Sequence, residues 1–444
     1  MALKVVATLK IQCTKTMTSF QYLGTELARL REKNGLSPQA LAQQLGLREV
    51  TILNLEDGKF FKPDIVEQIL TYFGCRLAIK PIQETNATQC AEKKATYKYN
   101  NFLPGMDSWF DSKKQQQELV EETAKILTES KPAKPTCLEI CAGAGGQALG
   151  LEMAGFEHVA LVEYESEYCE ALLRNRPEWN VICGDVKDFS GKPFEGKIDL
   201  LAGGVPCPPF SKAGKQLGSE DERDLFPEAI RLIAEIKPKA VMLENVRGFL
   251  DPVFKDYRES ILAQISALGY KVTIKLLHSS DYGVPQLRPR VVIVGIRNDI
   301  QGTFNYPEHL AGDPPTVAST LLDLMKANGW RGADSWAKAA SKIAPTVVGG
   351  SKKHGGPDLG PARARKAWAE LGIDGMGVAS APPEPDFVGK PKLTPRMIAR
   401  IQGFPDEWNF AQGKTKSCRM IGNAFPPPVA KAVGIQILKT LEAK

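Results

Sequence analysis

Apolar, strand-like runs alternate with helical patterns from about residue 136 onward, and this alternation most constrains the fold of the chain. The runs are 137–141, 159–162, 181–182, 198–202, 240–243 and 291–296. Strands that alternate with helices predict an open, mostly parallel sheet with helices on both faces. Ligands of such sheets bind beyond the carboxyl ends of the strands. The sequence therefore predicts an α/β fold with its site residues where these strands end.

The composition predicts two or three globular domains in a soluble, cytoplasmic protein. The chain has 444 residues, of which 43% are hydrophobic and 24% are charged, and no apolar run approaches the roughly 20 residues of a membrane span. Nine cysteines without paired short spacings argue against a disulfide scaffold and a zinc site. We expect Cys137, Cys169 and Cys183 to be buried small hydrophobes, and we expect neither a metal nor a membrane partner. The net charge of +6 is too small to indicate nucleic acid by itself.

Residues 20–82 predict an all-helical domain. Ser37-Pro38 is a capped helix start, Gly46 ends that helix, and a second short helix covers 48–56. Two short helices around a tight turn form a helix-turn-helix, and residues 36–58 resemble the DNA-binding domains of phage repressors. A plain helical bundle used for dimerisation is the alternative. The resemblance implies that five residues face the major groove or its phosphates: Gln39, Arg48, Glu49, Thr51 and Asn54.

A glycine-rich turn follows the first strand of the sheet. Glycines at 143, 145 and 146 let a ligand approach the backbone closely, but they lack the G-x-G-x-x-G spacing, and no Walker lysine follows. Glu163 ends the second strand, where it could bind two ribose hydroxyls, and Tyr164 offers a face for adenine. Asp185, after the third strand, could accept a hydrogen bond from an adenine amino group. An adenosine ligand without a pyrophosphate is expected, and S-adenosylmethionine fits better than NAD.

A cysteine lies on a loop rich in glycine and proline directly after the fourth strand-like run. Cys207 has two glycines before it and three prolines around it, which exclude a helix or a central strand. Glu244 ends the next strand, and Arg288 and Arg290 share one face of an extended segment. A thiol, a carboxyl group and cations suit conjugate addition to C6 of a pyrimidine, with the carboxyl group stabilising N3 as charge develops.

The chain from about residue 136 to 441 resembles the DNA cytosine-C5 methyltransferases, in which these motifs occur in the same order. The motifs are 142–146, Glu163, Gly184-Asp185, Pro206-Cys207, Glu244-Asn245-Val246, 286–290, 402–405 and 422–424. The resemblance implies a Rossmann-like, S-adenosylmethionine-dependent methyltransferase fold and a DNA (cytosine-5-)-methyltransferase activity on a flipped base. The chain departs from the family at Pro208, where glutamine is common, and at Cys141, where a bulkier aromatic residue is common.

The resemblance also implies roles for individual residues. Cys207 would be the nucleophile, Glu244 would contact N3 and N4 of cytosine, and Arg290 would contact O2. Arg288 would support the nucleophile loop, and Ser211 would contact a phosphate or help to close that loop. The cofactor contacts would be Cys141, Ala142, Gly143, Gly145, Gly146, Glu163, Tyr164, Asp185, Val186, Pro206, Leu225, Asn423 and Ala424.

The expected domains are a helix-turn-helix domain (20–82), a linker with one helix (83–133), a catalytic and cofactor-binding domain (134–300), a loop-rich target-recognition lobe (301–392) and a C-terminal return to the catalytic domain (393–444). Residues 351–366 carry five Lys or Arg against one Asp, which suits phosphates and guanine edges. The expected DNA contacts of this half are Gln286, Thr346, Lys352, Lys353, His354, Arg363 and Arg365.

Three functions stay open at this point. The first is a restriction-modification methyltransferase that acts on double-stranded DNA as a monomer. This reading leaves open a cognate restriction endonuclease as a partner that forms no stable complex with the chain. It also leaves open a dimer that forms through the N-terminal domain on an operator of the enzyme's own operon. The second is a transcription regulator with an inactive methyltransferase body, which the retained Cys207, Glu244 and Arg290 disfavour. The third is a tRNA cytosine-5 methyltransferase, against which the large lobe and the repressor-like domain count. A dehydrogenase fails on the glycine spacing.

Overall fold

The computed structural model describes residues 27–45, 52–53, 56, 69, 120–125, 127, 134–206, 224–348, 358–410 and 413–443. The chain divides into two compact units, residues 1–111 and 112–444. In the described part of the chain, every helix is too short or too polar to span a bilayer. Within the same residues, no three His, Cys, Asp or Glu side chains converge in a way that could hold a metal ion.

The first unit is helical where it is described. Residues 27–33 are helical, a turn with Gly35 at φ +69° follows, and helix α1 covers Pro38–Leu45. Ser37 Oγ accepts the N–H of Ala40 at 3.1 Å, which confirms the predicted capped start. Residues 52, 53 and 56 are also helical, and Arg31 Nε pairs with Glu56 Oε1 at 2.6 Å. The predicted contact residues Arg48, Glu49, Thr51 and Asn54 lie outside the described residues.

The second unit is built on a seven-stranded sheet in the order β3-β2-β1-β4-β5-β7-β6. The neighbouring pairs among β1 to β5 are all parallel, whereas β7 runs antiparallel to both β5 and β6. This confirms the predicted mostly parallel α/β sheet. The strands are β1 (Thr136–Ile140), β2 (Glu157–Glu163), β3 (Val181–Cys183), β4 (Leu200–Gly203), β5 (Ala240–Val246), β6 (Tyr270–His278) and β7 (Pro289–Arg297).

Strand β6 was absent from the sequence-based prediction. It is the edge strand, and among the described residues it pairs with β7 alone. Lys271 and Lys275 are exposed, whereas Val272 and Ile274 between them are half-buried. That alternation is the period-two pattern of a strand with one face in solvent, so the sequence did contain a signal for β6.

Helices cover both faces of the sheet. On one face, α4 and α5 contribute apolar side chains to a core with β1, β4 and β5; on the other, α2 and α11 pack over the same strands. The helices of this unit are α2 (Gly146–Ala154), α3 (Ser166–Asn175), α4 (Phe226–Ile236), α5 (Lys255–Ala267), α6 (Val317–Lys326), α7 (Ala333–Ala339), α8 (Ala362–Glu370), α9 (Pro395–Ile401), α10 (Lys414–Asn423) and α11 (Pro427–Glu442).

Two glycines let α2 and α11 approach closely. A Cβ on Gly150 would lie 2.4 Å from the carbonyl oxygen of Pro427, and one on Gly146 would lie 2.2 Å from that of Phe425. Such distances are shorter than any real contact, so both positions need a residue without a side chain. The C-terminal segment therefore lies directly on the first two turns of α2.

The region 301–392 is more regular than its glycine and proline content predicts. It holds α6, α7 and α8, and the first of them begins with a capping box between Thr316 and Ser319. Leu321, Trp336 and Trp368 are buried in a shared core. Outside these three helices the described part of the region is mostly loop, as predicted, and the helices themselves were not predicted because their short apolar spacings lie between glycine-rich stretches.

The cysteines need one correction. Cys169 in α3 and Cys183 at the end of β3 form a disulfide, with their Cα atoms 5.9 Å apart. The helix α3 begins directly after β2, and its first turn therefore reaches the end of the neighbouring strand β3. The expectation of two unpaired small hydrophobes is wrong for this pair, whereas Cys137 is buried and free as expected.

Candidate active site

A small cavity that opens to solvent lies beyond the carboxyl ends of β1, β4 and β5. Its wall combines the glycine turn after β1, Gly204 after β4, Glu244 of β5 and a stretch of the C-terminal segment. The lining residues are Glu139, Cys141, Ala142, Gly143, Ala144, Gly146, Gln147, Tyr168, Gly204, Glu244, Met420, Asn423, Ala424 and Phe425. The position agrees with the ligand site of open parallel sheets.

The turn after β1 has an unusual backbone. Cys141 (φ 53°), Gly143 (φ 56°) and Gly145 (φ 83°) all adopt left-handed conformations, which only glycine adopts without strain. The N–H of Gly143 donates to Glu163 Oε2 at 2.7 Å, and the indole N–H of Trp408 donates to the carbonyl of Ala144 at 3.1 Å. The turn is thus held from β2 on one side and from the C-terminal segment on the other.

Glu163 ends β2 with both carboxylate oxygens already hydrogen-bonded. Oε1 accepts the N–H of Glu165 at 2.8 Å, and Oε2 accepts that of Gly143. Burial raises the pKa of Glu163, and these backbone N–H groups oppose the rise. Each oxygen has a second lone pair, so the carboxylate can still accept hydrogen bonds from a ligand.

The other predicted cofactor residues lie around these strand ends. Val186 is buried and Asp185 is half-buried just past β3, where Asp185 Oδ1 accepts the N–H of Lys187 at 3.0 Å. Tyr164 is 69% exposed and does not line the cavity, so its stacking on adenine stays a prediction. Leu225 donates its N–H to the carbonyl of Pro206 at 3.3 Å, which joins the two ends of the segment 207–223.

Glu244 and Arg290 form an ion pair across adjacent strands. The Nε of Arg290 lies 2.8 Å from Glu244 Oε1. Burial raises the pKa of Glu244, although Arg290 and Arg288 act against the rise. Burial likewise lowers the pKa of Arg290. The pair offers a carboxyl group that can hold a proton beside a fixed cation.

Arg288 is completely buried and is not among the residues that line the cavity. Its guanidinium donates to the carbonyls of Val347 (2.8 Å), Gly422 (2.6 Å) and Ala424 (3.0 Å). These contacts suit a positioning residue, and the predicted support of the nucleophile loop stays a prediction.

Gln286 is also fully buried, and this contradicts a direct DNA contact. Its Oε1 accepts the N–H of Val347 at 2.7 Å, and its Nε2 donates to Gln402 Oε1 at 2.8 Å. Both polar atoms of the side-chain amide therefore bond within the protein. The backbone of Gln286 also forms a β-bridge with Ala344.

The remaining predicted DNA contacts are exposed, are half-buried or lie outside the described residues. Gln39 and Arg363 are exposed, and Thr346 is half-buried, with its hydroxyl donating to the carbonyl of Leu287. Arg365 lies 3.6 Å from Asp358. Outside the described residues are Lys352, Lys353 and His354, together with the predicted catalytic residues Cys207 and Ser211.

Sequence reasoning missed two polar residues of the cavity wall. Glu139 is 1% exposed and Gln147 is 3% exposed, and the side-chain oxygen and nitrogen atoms of both have no hydrogen-bond partner in the structure. Burial and the nearby charge of Glu163 raise the pKa of Glu139 well above its usual range. A glutamate inside the buried run Thr136–Ile140 was the available signal, because an acid in a central strand is rare without a partner.

The sheet order and the position of the cavity define a Rossmann-like methyltransferase fold. A solved crystal structure of a protein assigned as a DNA modification methyltransferase, encoded within an E. coli prophage, has the same fold with a TM-score of 0.50 and 22% identity. It covers 69% of this chain and 99% of that one. The chain belongs to the C-5 cytosine-specific DNA methylases, whose family model matches residues 136–439. A helix-turn-helix domain model matches residues 22–78.

Two relatives share more than half of their residues with this chain over the matched region. Type II methyltransferase M.NgoMIV of Neisseria gonorrhoeae is 56% identical over 310 residues, covering 69% of this chain and 98% of the relative. Type II methyltransferase M.NaeI of Lentzea aerocolonigenes is 57% identical over 309 residues, covering 68% of this chain and 75% of the relative. The chain is thus a DNA cytosine-C5 methyltransferase of the type found in restriction-modification systems, with an added helix-turn-helix domain.

Proposed function

We propose that the chain methylates C5 of a flipped cytosine through a covalent bond between Cys207 and C6 of the base. The observation that carries the proposal is the position of Gly204, three residues before Cys207. A Cβ on Gly204 would lie 3.5 Å from Glu244 Oε2 and 3.8 Å from the carbonyl of Cys141. Asn245 Nδ2 donates to the carbonyl of Val205 at 3.0 Å. The chain that leads to Cys207 therefore starts between the acid of the ion pair and the cofactor turn.

The cavity fits S-adenosylmethionine, which methyltransferases of this family generally use. Among its described lining residues there is no Lys, Arg or His, while Glu139 and Glu244 contribute two carboxyl groups. Such a wall lacks the cations that hold phosphates, and its acceptor oxygens suit a ligand with ammonium and hydroxyl donors. The unpartnered oxygens of Glu139 match the ammonium group, and Glu163 matches the ribose hydroxyls. We therefore assign Cys141–Gly146, Glu163, Asp185, Asn423 and Ala424 to cofactor binding.

The ion pair of Glu244 and Arg290 would stabilise the charge that develops on the cytosine ring when the nucleophile adds. Cys207 adds as a thiolate to C6, and a C–S bond forms while electron density moves towards C5 and N3. Glu244 is suited to hold a proton at N3, because burial raises its pKa, and Arg290 donates to O2. Burial also raises the pKa of the Cys141 thiol, so this second cysteine stays protonated and does not compete.

When bound, S-adenosylmethionine supplies an electrophilic methyl group for C5. After the transfer, which leaves S-adenosylhomocysteine, a base removes the proton from C5, the C–S bond breaks, Cys207 leaves as a thiolate, and N3 returns its proton to Glu244. Exposed Arg363 and half-buried Thr346 and Arg365 of the lobe at 301–392 would hold the duplex together with Lys352, Lys353 and His354. The base must leave the helix for this chemistry.

Bisulfite sequencing of DNA from cells that express the protein tests this function. We expect methylated cytosines at one short sequence, none with Cys207→Ser, and unchanged methylation with the control Cys418→Ser, which alters a free cysteine that does not line the cavity. Duplexes with 5-fluorocytosine should trap the protein covalently, because fluorine cannot leave C5 as a proton does. Methylation by the Cys207→Ser protein would overturn the proposed nucleophile.

We further propose that the N-terminal domain represses the operon of the enzyme and that a cognate restriction endonuclease acts on the same sequence without a stable complex. Exposed Gln39 on the capped helix α1 supports the first part. DNase footprints with the full chain should show protection upstream of the gene that Gln39→Ala weakens and Cys207→Ser leaves intact. Protection that does not respond to Gln39→Ala, or is absent, would contradict autoregulation through α1.

A further inference from the structure

A disulfide ties together two elements that carry predicted cofactor residues or line the cavity. Cys169 lies near the start of α3, and Cys183 is the last residue of β3, with the two Cα atoms 5.9 Å apart. Tyr168, which lines the cavity, directly precedes Cys169, and Asp185 follows Cys183 after one glycine. The disulfide therefore joins one wall of the cavity to the strand end that carries Asp185.

The end of β2 lies beside both cysteines. Cys183 pairs with Glu163 in the parallel register of β2 and β3, and the N–H of Gly184 donates to the carbonyl of Glu163 at 2.9 Å. The Sγ of Cys169 lies 3.4 Å from the same carbonyl oxygen. A change in the position of the two sulfur atoms therefore acts on the backbone of Glu163.

The two sulfur atoms differ in their access to solvent. Cys169 is 4% exposed, whereas Cys183 is half-buried. A glutathione thiolate can therefore attack Sγ of Cys183, and the S–S bond breaks as Cys169 leaves as a thiolate and takes up a proton. A second glutathione thiolate then attacks the glutathione sulfur of the mixed disulfide and releases Cys183. The products are two protein thiols and glutathione disulfide, which is the oxidant of the reverse reaction.

Reduction changes the packing of α3 on β3. Two bonded sulfur atoms are closer than a non-bonded contact allows, so the two thiols must move apart once the bond is broken. Cys169 packs in the core with Leu161 and Leu172, and most of the movement therefore falls on half-buried Cys183 and on the residues that follow it. The reduced chain has to restore the position of Asp185 when a ligand binds, which weakens the binding.

We propose that the disulfide between Cys169 and Cys183 is a redox switch of cofactor affinity, with tighter binding in the oxidised chain than in the reduced chain. The inference rests on the proposed function, which assigns Glu163 and Asp185 to cofactor binding. The proposed function also brings the chain to DNA, where thiols are mostly kept reduced, and disulfides under such conditions are usually transient or redox-sensing. Methylation then responds to the ratio of glutathione to glutathione disulfide.

Calorimetry tests the switch by measuring the Kd for S-adenosylhomocysteine in excess glutathione and in excess glutathione disulfide. Coupling between two sites is typically 5- to 150-fold, so we expect the wild-type Kd to be at least 5-fold higher under reducing conditions. Cys169→Ser and Cys183→Ser cannot form the disulfide and should give a ratio near 1. Both variants should also bind as the reduced wild-type chain does, which shows that they are folded. Cys418→Ser, at a buried free cysteine, is the matched control and should keep the wild-type ratio.

Linkage gives a second readout that a merely structural role of the two cysteines would not produce. If the disulfide tightens cofactor binding, saturating S-adenosylhomocysteine must stabilise the disulfide by the same factor. Mass spectrometry after alkylation measures the oxidised fraction of the pair across a series of glutathione ratios. A 5-fold coupling should lower the midpoint potential by about 20 mV, because a tenfold change corresponds to about 30 mV for this two-electron couple.

The inference fails if the pair stays reduced even in excess glutathione disulfide, or if the wild-type Kd is the same in both buffers. It fails equally if the two serine variants keep the wild-type ratio, since another cysteine is then responsible. A chain that methylates DNA in the bisulfite experiment and shows one of these results keeps the proposed function without the switch. A chain that neither methylates DNA nor binds S-adenosylhomocysteine contradicts the proposed function itself.

Discussion

The Nε of Arg290 lies 2.8 Å from Oε1 of Glu244, in a pair whose side chains are 12% and 11% exposed. Burial raises the pKa of the carboxyl group while the cation beside it limits the rise. The pair therefore keeps a proton within reach at a pH where a free glutamate is ionised. A carboxyl group that must donate to a base nitrogen benefits from this arrangement.

Glu244→Gln should lower kcat by about 10²- to 10⁴-fold, the usual contribution of a positioned acid or base. In the wild-type enzyme, the rate should fall as the pH rises through the raised pKa of Glu244, since the proton for N3 is then lost. The variant should lack this decline, because an amide does not titrate. A pH–rate profile under saturating substrates measures both effects. Glu259→Gln, a change at an exposed helix position, should behave as wild type, and an unchanged alkaline limb in the Glu244→Gln protein would contradict the assignment.

Glu163→Gln should raise the Kd for S-adenosylhomocysteine by about 10- to 100-fold. Each carboxylate oxygen accepts one backbone N–H, from Glu165 or from Gly143. The amide N–H₂ of glutamine would face one of these donors and displace the turn that carries the cofactor residues. Titration calorimetry gives the affinity, and Glu157→Gln at the exposed start of the same strand is the control. Equal affinities for the two variants would argue against a binding role for Glu163.

Gly150→Ala should lower the free energy of unfolding by about 1–3 kcal/mol. The new Cβ would lie 2.4 Å from the carbonyl of Pro427 and 2.5 Å from the Cβ of Ala430, so α11 must move away from α2. Gly248→Ala provides a contrast, because its nearest neighbour would be 4.0 Å away. Thermal denaturation should show a clear loss of Tm only for the first variant. A similar Tm for both would mean that the two helices are less tightly joined than described.

His158 should make the protein less stable in acid. Burial lowers its pKa from 6.5 to about 4, and its Nε2 lies 2.8 Å from the carbonyl of Ala148. The unfolded chain takes up a proton below about pH 6.5, whereas the folded chain does so only near pH 4, so stability falls as the pH drops through this window. The full effect is on the order of 3 kcal/mol.

His158→Gln is the matched variant for this pH dependence, since an amide can still donate to Ala148 but does not titrate. Denaturant unfolding at pH 7.5, 6 and 4.5 should show a smaller decline for the variant than for the wild type. Parallel curves for the two proteins would exclude His158 as the source.

The sequence predicted the parallel half of the sheet well, because its strands are short, continuous apolar runs that end in Gly, Glu or Asp. Strand β6 was not predicted because its apolar residues alternate with Lys271, Thr273 and Lys275. This pattern is typical of an edge strand rather than of a buried central strand. The helices α6 to α8 were hidden by the glycines and prolines around them. In this region the glycine and proline content indicated loops, whereas the spacing of the apolar residues indicated helices. The spacing agrees with the structure of these three segments.

Long-range polar contacts were beyond sequence reasoning. Gln286 and Gln402 are 116 residues apart, and no local pattern shows that their amides meet. Glutamine is mostly an exposed residue, so its type gave no sign that Gln286 is buried. Glu139 and Gln147 are similar cases. Only the structure shows that their side-chain polar atoms lie in the cavity wall without a hydrogen-bond partner.

The hydrogen bond from Trp408 to Ala144 spans 264 residues, and it has a consequence for synthesis. A growing chain on the ribosome completes its glycine turn before the residues that close the cavity around that turn are made. A nascent chain can thus form much of the sheet before its cofactor site is intact. The first methylation by a newly made chain therefore has to wait until the segment from Trp408 to Ala424 has been synthesised.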